Sequence, residues 1–311
     1  MVSEKNIVIL SGPTATGKSS LAIELCKKYK NIEIINADSL LVYREFNIGT
    51  AKPSLKQLGE VKHHLIDIVE PSVSFTAADF VSRVNHTIKE LNSRNLRALI
   101  VGGSGFYLKA LLYGLWQAPP GNLEIRKKLE PLTNSELYKQ LLHLDSKKAL
   151  QIKQNDRYRL IRALEILELT GQKPSQLKPK LQNNSQFKLW IIDRPDKDLF
   201  YHIEKRIDTM LQSGFIEEVI SLRKTYPPTI SPLQSIGYKQ VCDYLDRKKP
   251  KGRKVPDGTD GLKAEIILAT RQLVKKQRTW FKSQKKDFCF ELDRDLPELE
   301  KEFENIYGTS A

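Results

Sequence analysis

The clearest chemical pattern in the sequence is the segment 12–19, which reads Gly-Pro-Thr-Ala-Thr-Gly-Lys-Ser. It fits the phosphate-loop pattern, in which Gly12 and Gly17 are followed by Lys18 and Ser19. Glycines let the backbone wrap tightly, so that successive N–H groups point at anionic oxygens, and a helix that begins near Lys18 adds its positive end. Lys18 supplies a mobile positive charge, and Ser19 supplies a hydroxyl for Mg²⁺. The segment thus predicts a loop for a diphosphate or nucleotide phosphate rather than a plain glycine-rich turn. Its other members are Pro13, Thr14, Ala15 and Thr16.

A second glycine-rich segment, Gly102-Gly-Ser-Gly105, follows residues 97–101, Arg-Ala-Leu-Ile-Val, which predict a strand. Phosphate-loop ATPases usually have an Asp after another strand that helps to hold Mg²⁺, and this strand is followed by glycines instead. The first loop therefore indicates a diphosphate group without specifying ATP. A second glycine loop that faced the first would enclose a small phosphorylated ligand. The alternative is a tight turn between a strand and a helix.

Asp38 is an acidic residue in a position to act at such a site, because it follows the predicted strand 32–35. Ligands of open α/β sheets bind beyond the carboxyl ends of the strands, so we expect Asp38 near the phosphate loop. The alternative is that Asp38 caps the N-terminus of a helix. The local sequence favours neither interpretation.

The elements that must position these residues alternate between short apolar runs and segments of helical spacing. Such an alternation predicts an α/β fold, with a P-loop parallel sheet flanked by helices. The predicted strands are 6–10, 32–35, 65–69 and 97–101, and the predicted helices are 20–29 and 78–92.

The pattern changes near Pro119-Pro120-Gly121, after which the periodicity to about residue 180 is helical. Residues 171–184 are polar and predict a loop, and residues 187–192 predict a return to the sheet. We therefore expect a helical insertion domain at 118–185 within a catalytic core formed by 1–117 and 186–311. The last third is predicted to be largely helical, interrupted by the basic segment 247–254.

The composition indicates a soluble protein with a polyanionic partner. The 311 residues carry 51 Lys and Arg against 37 Asp and Glu, a net charge of +14, although a surplus of this kind also serves solubility. The three cysteines lie far apart, so neither a zinc site nor a disulfide framework is indicated. No apolar run is long enough to span a membrane and the N-terminus leaves no room for a signal peptide, so we expect a cytoplasmic protein.

One predicted helix near the C-terminus separates a basic face from an apolar face. A solvated charged surface is the alternative to RNA binding for the basic face. The basic residues recur at helical spacing as Arg271, Lys275, Arg278 and Lys282, and the apolar ones as Ile267, Val274 and Phe281.

Taken together, these and other segments resemble the tRNA dimethylallyltransferases, also called tRNA isopentenyltransferases, over residues 6 to about 285. The segments that carry the resemblance are Gly12-Pro-Thr-Ala-Thr-Gly-Lys-Ser19, Asn36-Ala-Asp-Ser39, Val42-Tyr-Arg44, Ile48-Gly-Thr-Ala-Lys-Pro53, His63-His-Leu-Ile-Asp-Ile68, Ser74-Phe-Thr-Ala-Ala-Asp-Phe80, Val101-Gly-Gly-Ser-Gly-Phe-Tyr-Leu108, Asn155-Asp156 with Arg159, Arg162-Ala-Leu-Glu165, Ile236-Gly-Tyr-Lys239 and Thr270-Arg-Gln-Leu-Val-Lys-Lys-Gln-Arg-Thr-Trp-Phe281.

The family transfers a dimethylallyl group from dimethylallyl diphosphate to the N6 amine of the tRNA adenosine just 3′ of the anticodon. The resemblance implies that the phosphate loop holds the diphosphate of this donor, with Mg²⁺ as cofactor, and that the other partner is the tRNA anticodon stem-loop. We expect a monomer. The implied catalytic residues are Lys18, Asp38, Ser104 and Arg206. The implied tRNA-binding residues are Asp38, Ser39, Leu40, Leu41, Ser104, Arg126, Tyr158, Arg159, Leu160, Ile161, Arg162, Gly237, Lys239, Arg271, Lys275 and Arg278.

The implied chemistry assigns a task to each catalytic group. Lys18, the loop N–H groups and Mg²⁺ would stabilise the leaving diphosphate, and Asp38 would accept the proton of the amine. Ser104 would bond a diphosphate oxygen. The chain departs from the family at three positions: Ser104 replaces the usual Thr, Leu41 replaces a common Gln, and His202 replaces a common Arg.

Three other functions share part of this pattern. A nucleotide or metabolite kinase would have the phosphate loop and the sheet, but it does not need the basic C-terminal helix or so long an insertion. A prenyltransferase for free adenine nucleotides does not account for the surplus of positive charge. A non-catalytic RNA-binding protein would not need a complete phosphate loop.

Overall fold

The computed structural model describes residues 6–114, 119–177, 185–248 and 256–308. The chain forms two compact units, of which unit 1 comprises Met1–Ala110 and Asn184–Ala311 and unit 2 comprises Leu111–Asn183. The sequence predicted an insertion at 118–185, and the structure begins and ends the inserted unit slightly earlier. Most of the basic segment 247–254 and the end of the predicted loop 171–184 lie outside the described residues.

Unit 1 is built on a six-stranded sheet in which every pairing is parallel, in the order β3-β2-β4-β1-β5-β6. The residues of the two central strands β1 and β4 are all buried, as their continuous apolar runs predict for strands covered on both faces. The strands are β1 Ile7–Ser11, β2 Ile32–Asn36, β3 His63–His64, β4 Arg97–Val101, β5 Phe187–Asp193 and β6 Phe288–Glu291.

The prediction of a strand at 65–69 is wrong. The strand of this region is the two-residue β3, and Val69 forms only an isolated bridge with Tyr43. Leu65 and Asp67 have positive φ angles, which interrupt regular strand pairing. The edge strand β6 was not predicted, since its four residues follow a charged segment and carry no clear alternation.

The helices of unit 1 cover the sheet and extend beyond it. The 3₁₀ helix Pro232–Gln234 precedes α11, and α4 continues a few residues past the boundary of the unit. The helices are α1 Lys18–Lys28, α2 Leu55–Glu60, α3 Ala77–Ser93, α4 Gly105–Tyr113, α9 Asp196–Gln212, α10 Phe215–Thr225, α11 Tyr238–Leu245, α12 Gly258–Lys282 and α13 Leu292–Tyr307.

Unit 1 contains two large apolar clusters. One packs α1 and α13 against a sheet face that includes the fully buried Trp190. The other joins α9, α10, α11 and α12 around Val42 and Phe46. The predicted apolar face of α12 is confirmed, because Val274 lies in the second cluster, Ile267 packs against it and Phe281 is also buried.

Unit 2 is helical, as predicted, and has a core of its own. The helices are α5 Leu123–Leu129, α6 Asn134–Leu144, α7 Ser146–Ala149 and α8 Arg157–Thr170. Leu137, Leu141 and Leu160 are fully buried at the centre of this core. Helix α6 begins with a capping box in which Thr133 and Glu136 satisfy each other's backbone N–H groups. Within the described residues of both units, no helix is long and apolar enough to cross a bilayer.

Candidate active site

A cavity of about 780 Å³ opens where the loops after β1, β2 and β4 meet, and all its lining residues belong to unit 1. Its volume lies within the range of about 300–1,000 Å³ that is common for small-molecule sites. The order of the sheet places β2, β4 and β1 side by side, so the three loops that follow them are neighbours. The cavity is therefore at the carboxyl edge of the sheet, where the sequence predicted it.

The phosphate loop adopts the strained backbone that its composition predicts. Gly12, Ala15 and Gly17 have φ angles of 150°, 64° and 91°. Five consecutive backbone N–H groups, from Ala15 to Ser19, have no acceptor in the part of the chain that the structure describes. Such a run of unpaired donors at the start of α1 is a site for anionic oxygens.

Two cations line the same cavity without an ion pair among the described residues. The ammonium of Lys18 donates to the carbonyl of Pro13 at 2.8 Å, and Arg206 donates to Thr14 Oγ1 at 3.4 Å and to the carbonyl of Thr50 at 3.2 Å. Burial lowers the pKa of Lys18 to about 8, an effect that Arg206 reinforces and the carboxylate of Asp38 opposes. Burial also lowers the pKa of Arg206. Two positive groups close together and unpaired indicate a site for a multiply charged anion.

Asp38 lies in this cavity and does not cap a helix, because no helix begins after it. Its N–H donates to Asn36 Oδ1 at 2.8 Å, and its Oδ1 accepts the N–H of Leu40 at 2.9 Å. Asn36 in turn donates to the carbonyls of Asp38 and Leu65, both at 3.0 Å. These bonds fix the carboxylate at the edge of the sheet. Its other oxygen, Oδ2, has no hydrogen bond to the described residues.

The second glycine loop packs directly against the first. A Cβ atom on Gly103 would lie 3.0 Å from the carbonyl oxygen of Gly12 and 3.7 Å from Nζ of Lys18. The segment is also the tight turn between β4 and α4, so it faces the phosphate loop and forms the turn at the same time. The hydroxyl of Ser104 accepts the N–H of Ser39 at 2.9 Å and lies 3.2 Å from the Ser39 hydroxyl. Ser104 thus joins the second glycine loop to the segment after Asp38.

Three residues that support the site were given no role from the sequence. Gln277 accepts from the Thr14 N–H and donates to the carbonyl of Gly103, both at 3.0 Å. Arg194 donates to the carbonyl of Thr16 at 3.0 Å. Glu218 accepts three consecutive backbone N–H groups, those of residues 47–49, together with the hydroxyl of Tyr238. Nothing in the local pattern of these residues distinguishes them from surface polar residues.

One wall of the cavity is apolar. Ile203, Ile207 and Met210 recur at helical spacing along α9 on both sides of Arg206, and all three are buried. The aromatic side chains of Tyr43, Phe75, Tyr107 and Phe215 extend this wall. His202, at the position where the family often has Arg, is not among the lining residues.

The residues predicted to bind tRNA occupy three places. Six of them line the cavity: Asp38, Ser39, Leu40, Leu41, Ser104 and Gly237. Four lie on α11 or on the basic face of α12. There Lys239 pairs with Asp243, Arg271 pairs with Glu204, Arg278 pairs with Asp193 and Asp196, and Lys275 is exposed without an ion pair to the described residues.

The remaining six lie in unit 2. Arg126 and Arg162 both pair with Glu165, which is fully buried. Burial opposes ionisation of Glu165, yet hydrogen bonds from the two arginines and from a backbone N–H hold its pKa below the ordinary value. Tyr158 is 71% exposed, and Arg159, also exposed, pairs with Asp156. The prediction that Leu160 binds tRNA is wrong, because its side chain is fully buried in the core and has no surface for RNA. Ile161 is partly buried against that core.

The donor atoms present fit a Mg²⁺ ion that is held mainly by a phosphorylated ligand. No group of three or more His, Cys, Asp or Glu side chains suited to a metal ion occurs within the described ranges. The Ser19 hydroxyl is exposed and lines the cavity together with Asp38. Mg²⁺ at phosphate sites usually takes one or two protein oxygens and completes its shell with phosphate and water.

Comparison with known proteins gives a consistent result. A family model described as IPP transferase matches residues 41–284. The tRNA dimethylallyltransferase of Francisella philomiragia subsp. philomiragia is 42% identical over 289 residues, which cover 90% of this chain and 91% of that protein. The tRNA dimethylallyltransferase 1 of Citrifermentans bemidjiense is 39% identical over 279 residues, 88% of each chain.

Solved structures agree in fold. The full-length tRNA isopentenylpyrophosphate transferase from Bacillus halodurans superposes with a TM-score of 0.69 at 30% identity, covering 97% of this chain and 95% of that one. A eukaryotic dimethylallyltransferase acting on tRNA gives a TM-score of 0.74 at 26% identity, covering 89% of this chain and 70% of that one.

Proposed function

Because this chain belongs to the IPP transferase family of tRNA dimethylallyltransferases, we propose that it transfers a dimethylallyl group from dimethylallyl diphosphate to the N6 amine of the adenosine just 3′ of the anticodon. The observation that carries the proposal is the composition of one cavity. Among the described residues, it combines loop N–H groups without acceptors, two cations without ion pairs, one carboxylate and an apolar wall.

We assign the diphosphate of the donor to the phosphate loop. Its oxygens are attracted by the N–H groups from Ala15 to Ser19 and by the charges of Lys18 and Arg206. This attraction becomes stronger as negative charge collects on the leaving group. The apolar side chains along α9 suit the five-carbon group. Mg²⁺, held by the diphosphate and Ser19, would neutralise further charge on the leaving group.

We assign the proton to Asp38. The adenine N6 lone pair is delocalised into the ring, so the amine attacks poorly unless a base takes its proton as the new bond forms. The nitrogen forms a bond to the allylic carbon, the carbon–oxygen bond breaks, and its electron pair leaves with the diphosphate. The amine proton passes to the carboxylate of Asp38, whose Oδ2 is free of hydrogen bonds to the described residues.

The acceptor base must leave the anticodon-loop stack to enter the cavity. Extrusion costs a few kcal/mol, and least from a single-stranded loop. Phe106 lines the cavity and is 70% exposed, so it offers an aromatic face on which a base can stack. We propose that the protein acts as a monomer. We place this activity in the cytoplasm.

The test is nucleoside analysis of tRNA after incubation with the protein, Mg²⁺ and dimethylallyl diphosphate, without ATP. We expect dimethylallyl adenosine to form in the anticodon loop, and none to form when the metal is chelated. A folded Lys18→Ala variant is the control and should be inactive. A requirement for ATP hydrolysis, or full activity of Lys18→Ala, would contradict the assignment of the loop.

A further inference from the structure

Gln277 connects the two glycine loops of the cavity through its side-chain amide. Its Oε1 accepts the N–H of Thr14 at 3.0 Å, and its Nε2 donates to the carbonyl of Gly103 at 3.0 Å. One partner is a donor only and the other is an acceptor only, so the orientation of the amide follows from the contacts themselves. Gln277 therefore forms a bridge between the phosphate loop and the second glycine loop.

The bridge begins where the unpaired donors of the phosphate loop begin. Pro13 has no N–H and the N–H of Thr14 is occupied by Gln277, so the consecutive run of donors without an acceptor among the described residues begins at Ala15. Ala15 has a φ of 64°, a backbone conformation that its neighbours must hold in place. The hydrogen bond that the Thr14 N–H donates to Gln277 is one such restraint, and it lies immediately before Ala15.

The bridge also sets the distance between the loops. Gly103 already packs so closely that a Cβ atom there would lie 2.9 Å from Nε2 of Gln277 and 3.7 Å from Nζ of Lys18. A shift of either loop would change the distance between Gly103 and Lys18 and so the shape of the site around the Lys18 ammonium. The amide fixes this spacing because it is bonded to the backbone of both loops.

Helix α12 can hold Gln277 at this position because other residues of the helix are anchored. Ile266, Thr270, Leu273 and Gln277 form the stripe of α12 that lines the cavity. On the turn around Gln277, Arg278 donates to Asp193 at 2.9 Å and Trp280 packs against Gly105. The bridge thus reaches from a fixed helix to the phosphate loop, which has positive φ angles, and to the second glycine loop.

We propose that Gln277 is a positioning residue for the transfer reaction, which holds the donors of the phosphate loop and Lys18 in register with the diphosphate of the prenyl donor. The inference rests on the proposed function, because it takes the ligand of the loop to be that diphosphate. Preorganised donors act most strongly on the charge that develops in the transition state, so loss of the bridge affects turnover more than donor binding.

The test replaces Gln277 by Met, which has a similar length and cannot form the bridge. We expect the single-turnover rate with saturating substrates to fall by about 10- to 100-fold, since small misplacements at a reacting centre cost up to that factor. The KM for dimethylallyl diphosphate should change less. Gln272→Met is the matched control, because Gln272 is exposed on the same helix and should tolerate the same replacement.

Gln277→Asn is a second variant, which keeps the amide but is one methylene too short to reach both loops. It should lose rate as the Met variant does, and it provides the test if the Met variant does not fold. A near-normal rate in either folded variant, with an active wild type, would overturn the positioning role alone. Failure of the wild type to prenylate tRNA would instead reject the proposed function, and the affinity of each variant for inorganic diphosphate separates the two cases.

Discussion

Three charged side chains, Lys18, Asp38 and Arg206, define the chemistry of the cavity at the scale of single residues. The carboxylate raises the pKa of each cation against the effect of burial, which shows that the three groups are electrostatically coupled. Neither cation has an ion-pair partner within the described residues, so an incoming diphosphate meets a net positive site. The proposed base and the proposed leaving-group site are therefore adjacent, as a direct displacement requires.

Replacing Asp38 by Asn removes the proton acceptor and preserves the shape of the side chain. We expect kcat to fall roughly 10²–10⁴-fold, the usual contribution of a positioned base, while the affinity for dimethylallyl diphosphate changes little. Asn keeps the oxygen that accepts from Leu40, so the melting temperature should stay close to that of the wild type. Measuring kcat and melting temperature together checks the assignment, and a near-normal kcat would leave the base unidentified.

The lowered pKa of Lys18, about 8, predicts a pH dependence of diphosphate binding. The ammonium is charged below this pKa and neutral above it, so the affinity for inorganic diphosphate should fall as pH rises through about 8. Titration calorimetry across this range measures the effect. Lys18→Met is the control, because its profile reports the ionisation of the ligand alone. Identical profiles for the two proteins would show that Lys18 does not titrate at the site.

At the scale of elements, α12 combines three functions on three faces. One stripe lines the cavity, a second packs into the core through Val274 and Phe281, and a third is basic. The basic face is itself mixed: Lys275 and Lys282 are exposed without ion pairs among the described residues, whereas Arg278 is bound to Asp193 and Asp196. The two kinds of residue should respond differently to replacement.

The double change Lys275→Ala and Lys282→Ala should weaken tRNA binding without affecting the fold. Each lost phosphate contact should reduce the slope of log affinity against log salt by about 0.7–0.9. The apparent KM for tRNA should rise, and the KM for the prenyl donor should stay unchanged. Lys301→Ala on α13 removes an exposed lysine elsewhere and serves as the control. An unchanged slope in the double variant would place the RNA on another surface.

Arg278→Ala should act mainly on stability. Arg278 donates to Asp193, Asp196 and the carbonyl of Arg194, and so holds α12 against the end of β5 and the start of α9. Loss of these charged hydrogen bonds should lower the free energy of unfolding by about 1–3 kcal/mol, measured by denaturant titration. Arg278→Lys should not restore it, since an ammonium lacks the fork geometry. Normal stability with a reduced salt slope would instead identify Arg278 as an RNA contact.

At the scale of the whole molecule, the surplus of positive charge is spread over the chain, with a net charge of +14. All cavity residues belong to unit 1, whereas the predicted RNA-binding residues occur in both units. A polyanion such as tRNA can contact charged residues in each unit, whereas the proposed prenyl donor would contact only the cavity.

Wild-type affinity for tRNA should therefore fall steeply with salt, in proportion to the number of phosphates contacted. Filter binding at several salt concentrations measures the slope for tRNA, and calorimetry over the same range measures it for dimethylallyl diphosphate. We expect the tRNA slope to be the larger by several contacts. Equal slopes would show that the net charge serves solubility rather than RNA binding.

The sequence by itself determined the phosphate loop, the parallel α/β core, the helical insertion and the apolar face of α12. These features depend on short-range patterns of the sequence. Glycine spacing specifies the backbone of a loop, continuous apolar runs specify buried strands such as β1 and β4, and a period near 3.6 specifies helices. The same rules failed at 65–69, where an apolar segment contains two residues of positive φ, and at β6, which is too short to show alternation.

Only the tertiary structure decided which polar residues hold the site together and which stabilise the fold. Gln277 reaches Thr14 across 263 positions of sequence and Glu218 reaches Ile48 across 170, so no local pattern can show either bond. The same applies to Arg278, whose position on a basic face suggested RNA and whose guanidinium is bound to two carboxylates. Leu160 shows the converse, because a residue that was predicted to bind RNA proved to lie in the core. Periodicity along a chain reports burial, whereas the partner of a polar group depends on distant backbone that packing brings beside it.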